Sequence, residues 1–499
     1  MTEPTPPAAP ALLSIAFITS ELAPFAKTGG LADVSAALPL ELHRLGHEVK
    51  VFLPLYPRVR DSARDLRIEE HLRDIPMALG PAHYRFSVAT APLPGSDLRV
   101  ILVDCPELFG RPSIYTNDAD EPLRFLLLQR AAIEICQRMG FGPDVFHVND
   151  WQSALVPLLL KTRYRWDRLF ENTRTLYTIH NLGYHGTFPK DLLPHLDMGD
   201  AASMLHQDDL RDGRINFMKH GILYADGLST VSPTYAEEIQ TEAFGFGLHD
   251  MLHARRADLA GILNGVDYSE WSPERDKFLP QKYSVRSLYR KEKNKVALHE
   301  HLGLEYDQES PIAGIVSRLS YQKGFDLLFE TLPPLVMQAG LRVAVLGSGE
   351  PQYEEFFAGL QRRFPGRVCF WRGFNEDLAH LIEGGSDLFL MPSRYEPCGL
   401  NQMYSLRYGT APVVRRTGGL ADTVTPWNRA TGQGTGFVFD HFTGDGMMWA
   451  VKRAIECWRD RKSWQVLMKN GMQMDFSWQK QAGEYVNLYA RLARPEVTT

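Results

Sequence analysis

Arg318 and Lys323 lie five residues apart in the stretch Ser317-Arg318-Leu319-Ser320-Tyr321-Gln322-Lys323-Gly324, directly after the apolar run Ile312–Val316. A forked guanidinium and a mobile ammonium in a strand-to-helix loop suit a diphosphate. A solvated basic loop is the other reading of the same residues. The G-x-x-x-x-G-K-[ST] spacing of a nucleotide-triphosphate loop is absent, and Gly347-Ser348-Gly349 does not extend to a dinucleotide G-x-G-x-x-G. Glu396 sits between Pro392 and Leu400, where Pro397 restricts φ and Gly399 relaxes it. A carboxylate there can accept from two vicinal hydroxyls, or it can serve as the acid at a helix N-terminus. In the first half, Asp150 and His180 each end an apolar run. Together they suit acid–base work or contacts to sugar hydroxyls, whereas a lone histidine is as readily a packed core residue, the reading given to His147. Trp151, Tyr115 and Tyr184 flank these polar ends; aromatic faces beside acids and amides suit carbohydrate, and core packing accounts for each one singly. No G-x-S-x-G elbow or H-E-x-x-H helix accompanies them.

One hexapeptide occurs twice: Thr28-Gly29-Gly30-Leu31-Ala32-Asp33 and Thr417-Gly418-Gly419-Leu420-Ala421-Asp422, preceded by Lys27 and Arg416. Each copy follows an apolar run and opens a helix-like one. A glycine pair at such a junction lets backbone N–H groups approach an anion, and the helix N-terminus adds its dipole. Two such loops predict two nucleotide-binding halves facing one another across a cleft.

The elements that must position these residues follow from periodicity. Apolar runs at Leu13–Ile18, Glu48–Pro54, Leu98–Asp104, Asp144–Val148, Thr175–Ile179 and Gly227–Val231 predict buried parallel strands. Helices are expected over Leu31–Leu45, Pro122–Met139 and Arg214–Tyr224. The second half repeats the alternation, with strands at Ile312–Val316, Val343–Leu346, Val368–Trp371, Asp387–Met391 and Pro412–Val414, and helices at Phe325–Leu332, Gly446–Gly471 and Ser477–Leu492. At 499 residues, two large domains are the default. The expected divisions are a disordered tail at 1–10, a first domain at 11–267, a second at 268–475 and a terminal helix at 476–499 that packs back on the first. A net charge of −6 argues against nucleic acid as a partner. Five cysteines without a C-x-x-C pair, no basic stretch before the first apolar run, and no apolar run of membrane-spanning length predict a cytoplasmic chain without membrane anchorage.

These residues resemble those of the bacterial glycogen synthases and the plant starch synthases, from about Leu13 to Leu492. The resemblance is carried by Lys27 to Val34, Thr178 to Tyr184, Gly261 to Asp267, Ser317 to Gly324, Pro392 to Leu400 and Arg415 to Asp422. It implies an α/β fold of the GT-B type, two Rossmann-like doubly wound domains facing a deep interdomain cleft. It also implies transfer of glucose from ADP-glucose to the non-reducing end of an α-1,4-glucan, with retention of configuration. Lys27, Gly29 and Gly30 correspond to a donor-phosphate contact, Arg318 and Lys323 to the diphosphate pair, and Thr417, Gly418 and Gly419 to the loop at the distal phosphate. Glu396 corresponds to the acid on the donor sugar's hydroxyls, with Cys398, Gly399 and Leu400 as the backbone beside it. His180 corresponds to the hydrogen-bonding residue at the reaction centre, Phe374 to the nucleobase neighbour, and Asp33, Tyr115, Asp150 and Asn264 to acceptor or sugar contacts. His180, Lys27, Arg318, Lys323 and Glu396 are thus the expected catalytic set. No metal or other cofactor is implied; ADP-glucose, ADP and the glucan are the expected partners. UDP-glucose as donor and a catalytically silent glucan-binding chain are the alternatives. Two departures stand out. Asn149 and Gln152 occupy positions where the bacterial family commonly has imidazoles, and Glu383 to Asp387 differs from the usual Ala-Gly-Ala-Asp.

Overall fold

Short apolar runs that are buried on both faces pair as parallel strands, and the helices between them cover the two faces. A computed structural model describes residues 12–494; the tail expected at 1–10 lies outside the described residues. The chain forms two compact units. One takes residues up to Val231, 236–262 and from Trp478 onward; the other takes Ser232–Tyr235 and Leu263–Ser477. The passage falls after Ile262 rather than after 267. The reason is local: Val266 donates its N–H to the Phe476 carbonyl at 2.7 Å and bridges to Ser477, which draws Asn264–Asp267 into the second unit.

The first unit is built on one sheet. Its parallel strands run in the spatial order Leu259–Gly261, Gly227–Thr230, Arg174–Ile179, Val145–Asn149, Ser14–Ile18, Glu48–Pro54 and Arg99–Asp104. Ala82–Pro92 continues the sheet antiparallel, against Arg67–Ile68 and Ile75–Leu79. Strand order reverses between Ser14–Ile18 and Val145–Asn149, so the loops leaving these two strands diverge to opposite faces and open a crevice. Ser20 to Gly30 and Asp150-Trp151 are those loops. The C-terminal helix Trp478–Ala493 packs in this unit, its Tyr489 hydroxyl 2.7 Å from His147 Nδ1.

The second unit has six parallel strands in the order Val368–Arg372, Arg342–Gly347, Ile312–Val316, Leu388–Met391, Ala411–Arg415 and Phe437–Phe439. Numbered along this unit, that is 3-2-1-4-5-6, the Rossmann order. Its switch point lies between Ile312–Val316 and Leu388–Met391. The loops leaving those strands are Ser317–Gly324 and Pro392–Leu400. Both units are therefore Rossmann-like α/β domains.

Two helical expectations are corrected. Arg214–Asn216 is a strand, antiparallel to Thr187–Pro189, and the helix starts only at Phe217 because the Asn216 side chain accepts from the Lys219 N–H at 3.0 Å. The stretch 446–471 is two helices, Gly444–Arg459 and Arg461–Met472; Asp460 breaks the run and caps the second by accepting from the Ser463 N–H and hydroxyl. The expected helix at 325–332 begins as a tight turn, Phe325–Leu327, and continues as Leu328–Gln338.

Candidate active site

At the switch point of the second unit, the two loops are fastened together. Gly324 has φ +69°, and a Cβ there would lie 2.1 Å from the Pro392 carbonyl oxygen, so only glycine permits this approach. The Arg394 N–H donates to the Gln322 carbonyl at 2.9 Å. The Arg394 guanidinium lies 4.1 Å from the ring centres of both Tyr321 and Phe442 and pairs with Asp326. This places Lys323 Nζ 2.7 Å from Glu396 Oε2, which also accepts from the Ser393 hydroxyl at 2.9 Å. Glu396 is buried, Lys323 half-buried and Arg318 exposed. Phosphate and sugar contacts expected separately are thus joined in one ion pair. An ammonium has three donors, so Lys323 keeps two after pairing.

The twin hexapeptides differ in what their glycines do. In the second copy, a Cβ on Gly418 (φ +42°) would lie 2.0 Å from the Glu396 carbonyl oxygen, and one on Gly419 would lie 2.1 Å from that of Cys398. The Gly419 N–H points inward, 3.1 Å from the Glu396 carbonyl and 3.2 Å from that of Pro397, and the Leu420 N–H donates to Thr417. The Gly419 N–H thus braces the Glu396 turn, a structural role beside the phosphate contact expected of the Thr417–Gly419 loop. Asp422 accepts from the N–H and hydroxyl of Thr234, starting the helix Pro233–Glu238.

In the first copy, a Cβ on Gly29 or Gly30 would meet nothing within 4 Å. This loop is organised by Glu21. Its carboxylate accepts from the Thr28 N–H (2.5 Å), the Thr28 hydroxyl (2.6 Å), the Gly29 N–H (3.1 Å) and the Tyr115 hydroxyl (2.7 Å). Sequence reasoning passed over Glu21, although an acid in a loop leaving the switch-point strand is itself a signal. Tyr115 spends its hydroxyl on Glu21 and Ser20, so it positions the loop. Lys27 Nζ lies 2.6 Å from Asp33 Oδ1; burial raises the Asp33 pKa, and Lys27 opposes that rise.

Asp150 and His180 do converge. Asp150 holds φ +52°, a left-handed conformation uncommon outside glycine, and its carboxylate accepts from the His180 N–H at 2.7 Å. His180 Nε2 lies 2.9 Å from Asn149 Oδ1, and Asn149 Nδ2 donates to the Ile18 carbonyl at 3.0 Å. That second bond assigns the amide's orientation, so Nε2 carries the proton and Nδ1 is the acceptor. Asn149 is fully buried. The amide at this departure from the family pattern therefore acts through His180. Gln152 is buried too, with Oε1 lacking a partner among the described residues.

Burial pushes Asp150 up to about 7 and His180 down to about 3. The two have opposite consequences for folding. Asp150 favours the folded state while protonated, so its contribution falls as pH rises from about 4 to about 7. His180 is folded neutral, so its contribution is lost as pH falls from about 6.5 to about 3. Between about pH 4 and 6.5 the slopes oppose one another. In urea unfolding across that window, Asp150→Asn should make stability climb more steeply with pH than in the parent, and His180→Gln should turn the slope downward. Parallel profiles for parent and variants would contradict this arrangement.

The remaining residues differ in burial and in what they contact. His147 is a satisfied core residue, bonded to Tyr489 and Thr178. Trp151 packs among Phe125, Phe188 and Phe217, so it offers no stacking face, while Tyr184 is exposed. Phe374 is 82% exposed after the strand Val368–Arg372. Asn264 lies in the second unit, buried, with Oδ1 unpartnered among the described residues; its backbone is hydrogen-bonded to Cys398, whose thiol burial raises to about 12. Gly399 takes φ +72° and leads through Leu400 into the helix Asn401–Tyr408.

Comparison with known proteins places this arrangement among the glycosyltransferases. The starch synthase catalytic domain family matches residues 14–254, and the glycosyl transferases group 1 family matches 301–470. The chain is 44% identical over 485 residues to the glycogen synthase of Koribacter versatilis, covering 96% of this chain and 98% of that one. It is 44% identical over 489 residues to the glycogen synthase of Anaeromyxobacter dehalogenans strain 2CP-C, covering 96% and 100%. The catalytic domain of starch synthase IV from Arabidopsis thaliana, solved with ADP and acarbose, superposes with a TM-score of 0.88 at 34% identity, covering 97% of this chain and all of that one. The chain belongs to the glycogen synthase and starch synthase family. No described helix is long and apolar enough to cross a membrane.

Proposed function

We propose that the protein transfers glucose from ADP-glucose to the non-reducing end of an α-1,4-glucan with retention of configuration. The observation that carries this reading is the Lys323–Glu396 pair at the switch point of the second unit. A nucleotide-sugar has a phosphate directly attached to a ring rich in hydroxyls, and this pair offers a cation and a hydroxyl acceptor side by side. Lys323 and Arg318 stabilise the charge that develops on the departing diphosphate, as an oxyanion site does. Lys27 is a further phosphate cation. Glu396 holds the donor's hydroxyls beside Cys398, Gly399 and Leu400; Thr417, Gly418 and Gly419 brace that turn; Phe374 faces the base. His180 hydrogen-bonds the sugar at the reaction centre, and Asp33, Tyr115, Asp150 and Asn264 shape the sugar sites directly or by positioning their neighbours.

The attacking hydroxyl approaches from the face the diphosphate leaves, and the departing phosphate takes its proton. No metal enters, because the side-chain cations supply the countercharge. ADP and acarbose in the starch synthase IV structure support a nucleotide and a glucan as ligands here. The test is incorporation of radiolabelled glucose into glycogen by purified protein. Faster incorporation from ADP-glucose than from UDP-glucose is expected. The reverse preference would reassign the donor, and no incorporation from either would leave a glucan-binding protein.

A further inference from the structure

The helix Glu376–Gly385 carries a histidine that the reaction above does not use. His380 is 1% exposed, and its Nδ1 lies 2.8 Å from Asp276 Oδ2, an oxygen that also accepts from the Tyr408 hydroxyl. The ring stacks on Trp271 at 3.8 Å and meets Phe278 at 4.7 Å. A carboxylate only accepts, so Nδ1 carries the proton and Nε2 presents its lone pair. That Nε2 is buried and has no hydrogen-bond partner among the described residues. A buried polar atom without a partner calls for an explanation.

Two carboxylates supply one. Glu376 is the first residue of the same helix, one turn before His380, and Glu270 lies beside Trp271 in the stretch that enters the second unit. One ligand atom from each of Glu270, Glu376 and His380 lies within 4.8 Å of the other two. We propose that these three residues bind one divalent cation of the zinc type, with Asp276 as the positioning residue. An imidazole held through its other nitrogen by a carboxylate is the arrangement that orients histidine ligands on metals. A nitrogen with two carboxylate oxygens favours zinc over magnesium or calcium, which prefer oxygen alone. Ligands about 2.1 Å from a tetrahedral ion stand about 3.5 Å apart. The spread is therefore wider than a loaded site requires; both glutamates are exposed, and a rotamer change in each would close it. The ion would tie the start of the helix, two residues after Phe374, to the stretch carrying Glu270.

The test uses the full chain, freed of metal by chelator and dialysed against Zn²⁺ with Mg²⁺ in excess, with bound zinc measured per chain and thermal unfolding followed in parallel. The parent should bind one equivalent more than His380→Gln, and that equivalent should raise its Tm. Glu270→Gln and Glu376→Gln, at exposed positions where folding is not at stake, should each weaken binding of that equivalent at least about tenfold and lose the Tm rise. Equal zinc stoichiometry and affinity in the parent and both glutamine variants would overturn the proposal. Displacement of that equivalent by the excess Mg²⁺ would overturn its zinc character.

Discussion

Lys323→Ala is expected to lower kcat/KM for glucosyl transfer about 10²- to 10³-fold, the loss of about 3–4 kcal/mol seen when one preorganised charge-stabilising donor is removed. The ammonium is held by Glu396, which the Ser393 hydroxyl in turn fixes, in a loop fastened by Gly324 and Arg394, so it need not reorganise as the diphosphate leaves. The same substitution strands a buried carboxylate, so stability should also fall. Pairing it with Glu396→Gln separates the two effects. The double variant should recover stability, because no charge is left without its partner, yet stay as inactive as the single one. Activity that returned with stability would make the pair purely structural, and an unchanged kcat/KM in Lys323→Ala would remove Lys323 from the reaction.

Gly419→Ala is expected to cost about 3 kcal/mol or more in urea unfolding, beyond the usual penalty for overpacking. The new methyl would collide with a backbone carbonyl, Cys398 O at 2.1 Å, which cannot rotate aside. Gly30→Ala should do the opposite. It meets nothing within 4 Å and opens a helix, where alanine is the better residue, so stability should hold or rise by about 0.5–1 kcal/mol. If the proposed donor-phosphate contact at Lys27 to Gly30 is made, its kcat/KM should nevertheless fall, since the methyl enters open space at that loop. Matched losses of stability in both variants would mean that the two copies are equivalent.

The alternation of strands and helices was legible because each strand is a short apolar run bounded by polar residues, and parallel sheets bury such runs on both faces. The switch points follow from topology, so the loops after Ile312–Val316 and Leu388–Met391 could be singled out from their residues alone. Pairings across sequence were not legible. Lys323 and Glu396 are 73 residues apart, and no spacing announces that their side chains touch. Glu21 escaped because two of its four donors are backbone N–H groups, which every residue has, and a third, the Tyr115 hydroxyl, comes from 94 residues away. Asn149 looked like a lost imidazole at a ligand contact; its burial and its bond to His180 become visible only in the fold. Helix ends failed where a side chain captured the backbone, as Asn216 and Asp460 do.

The inward-turned glycines of the second Thr-Gly-Gly-Leu-Ala-Asp bear on how relatives of this chain should be sorted. A lineage that lost the reaction but still needed a folded protein would remain under selection at Gly418 and Gly419, and its second hexapeptide would persist as a fossil of architecture. At Gly29 and Gly30 no close approach enforces the residue type, so mutation would erase the glycine pair of the first hexapeptide soon after catalysis ceased to matter. Survival of the first copy, rather than the second, is therefore the marker that separates working enzymes from silent descendants.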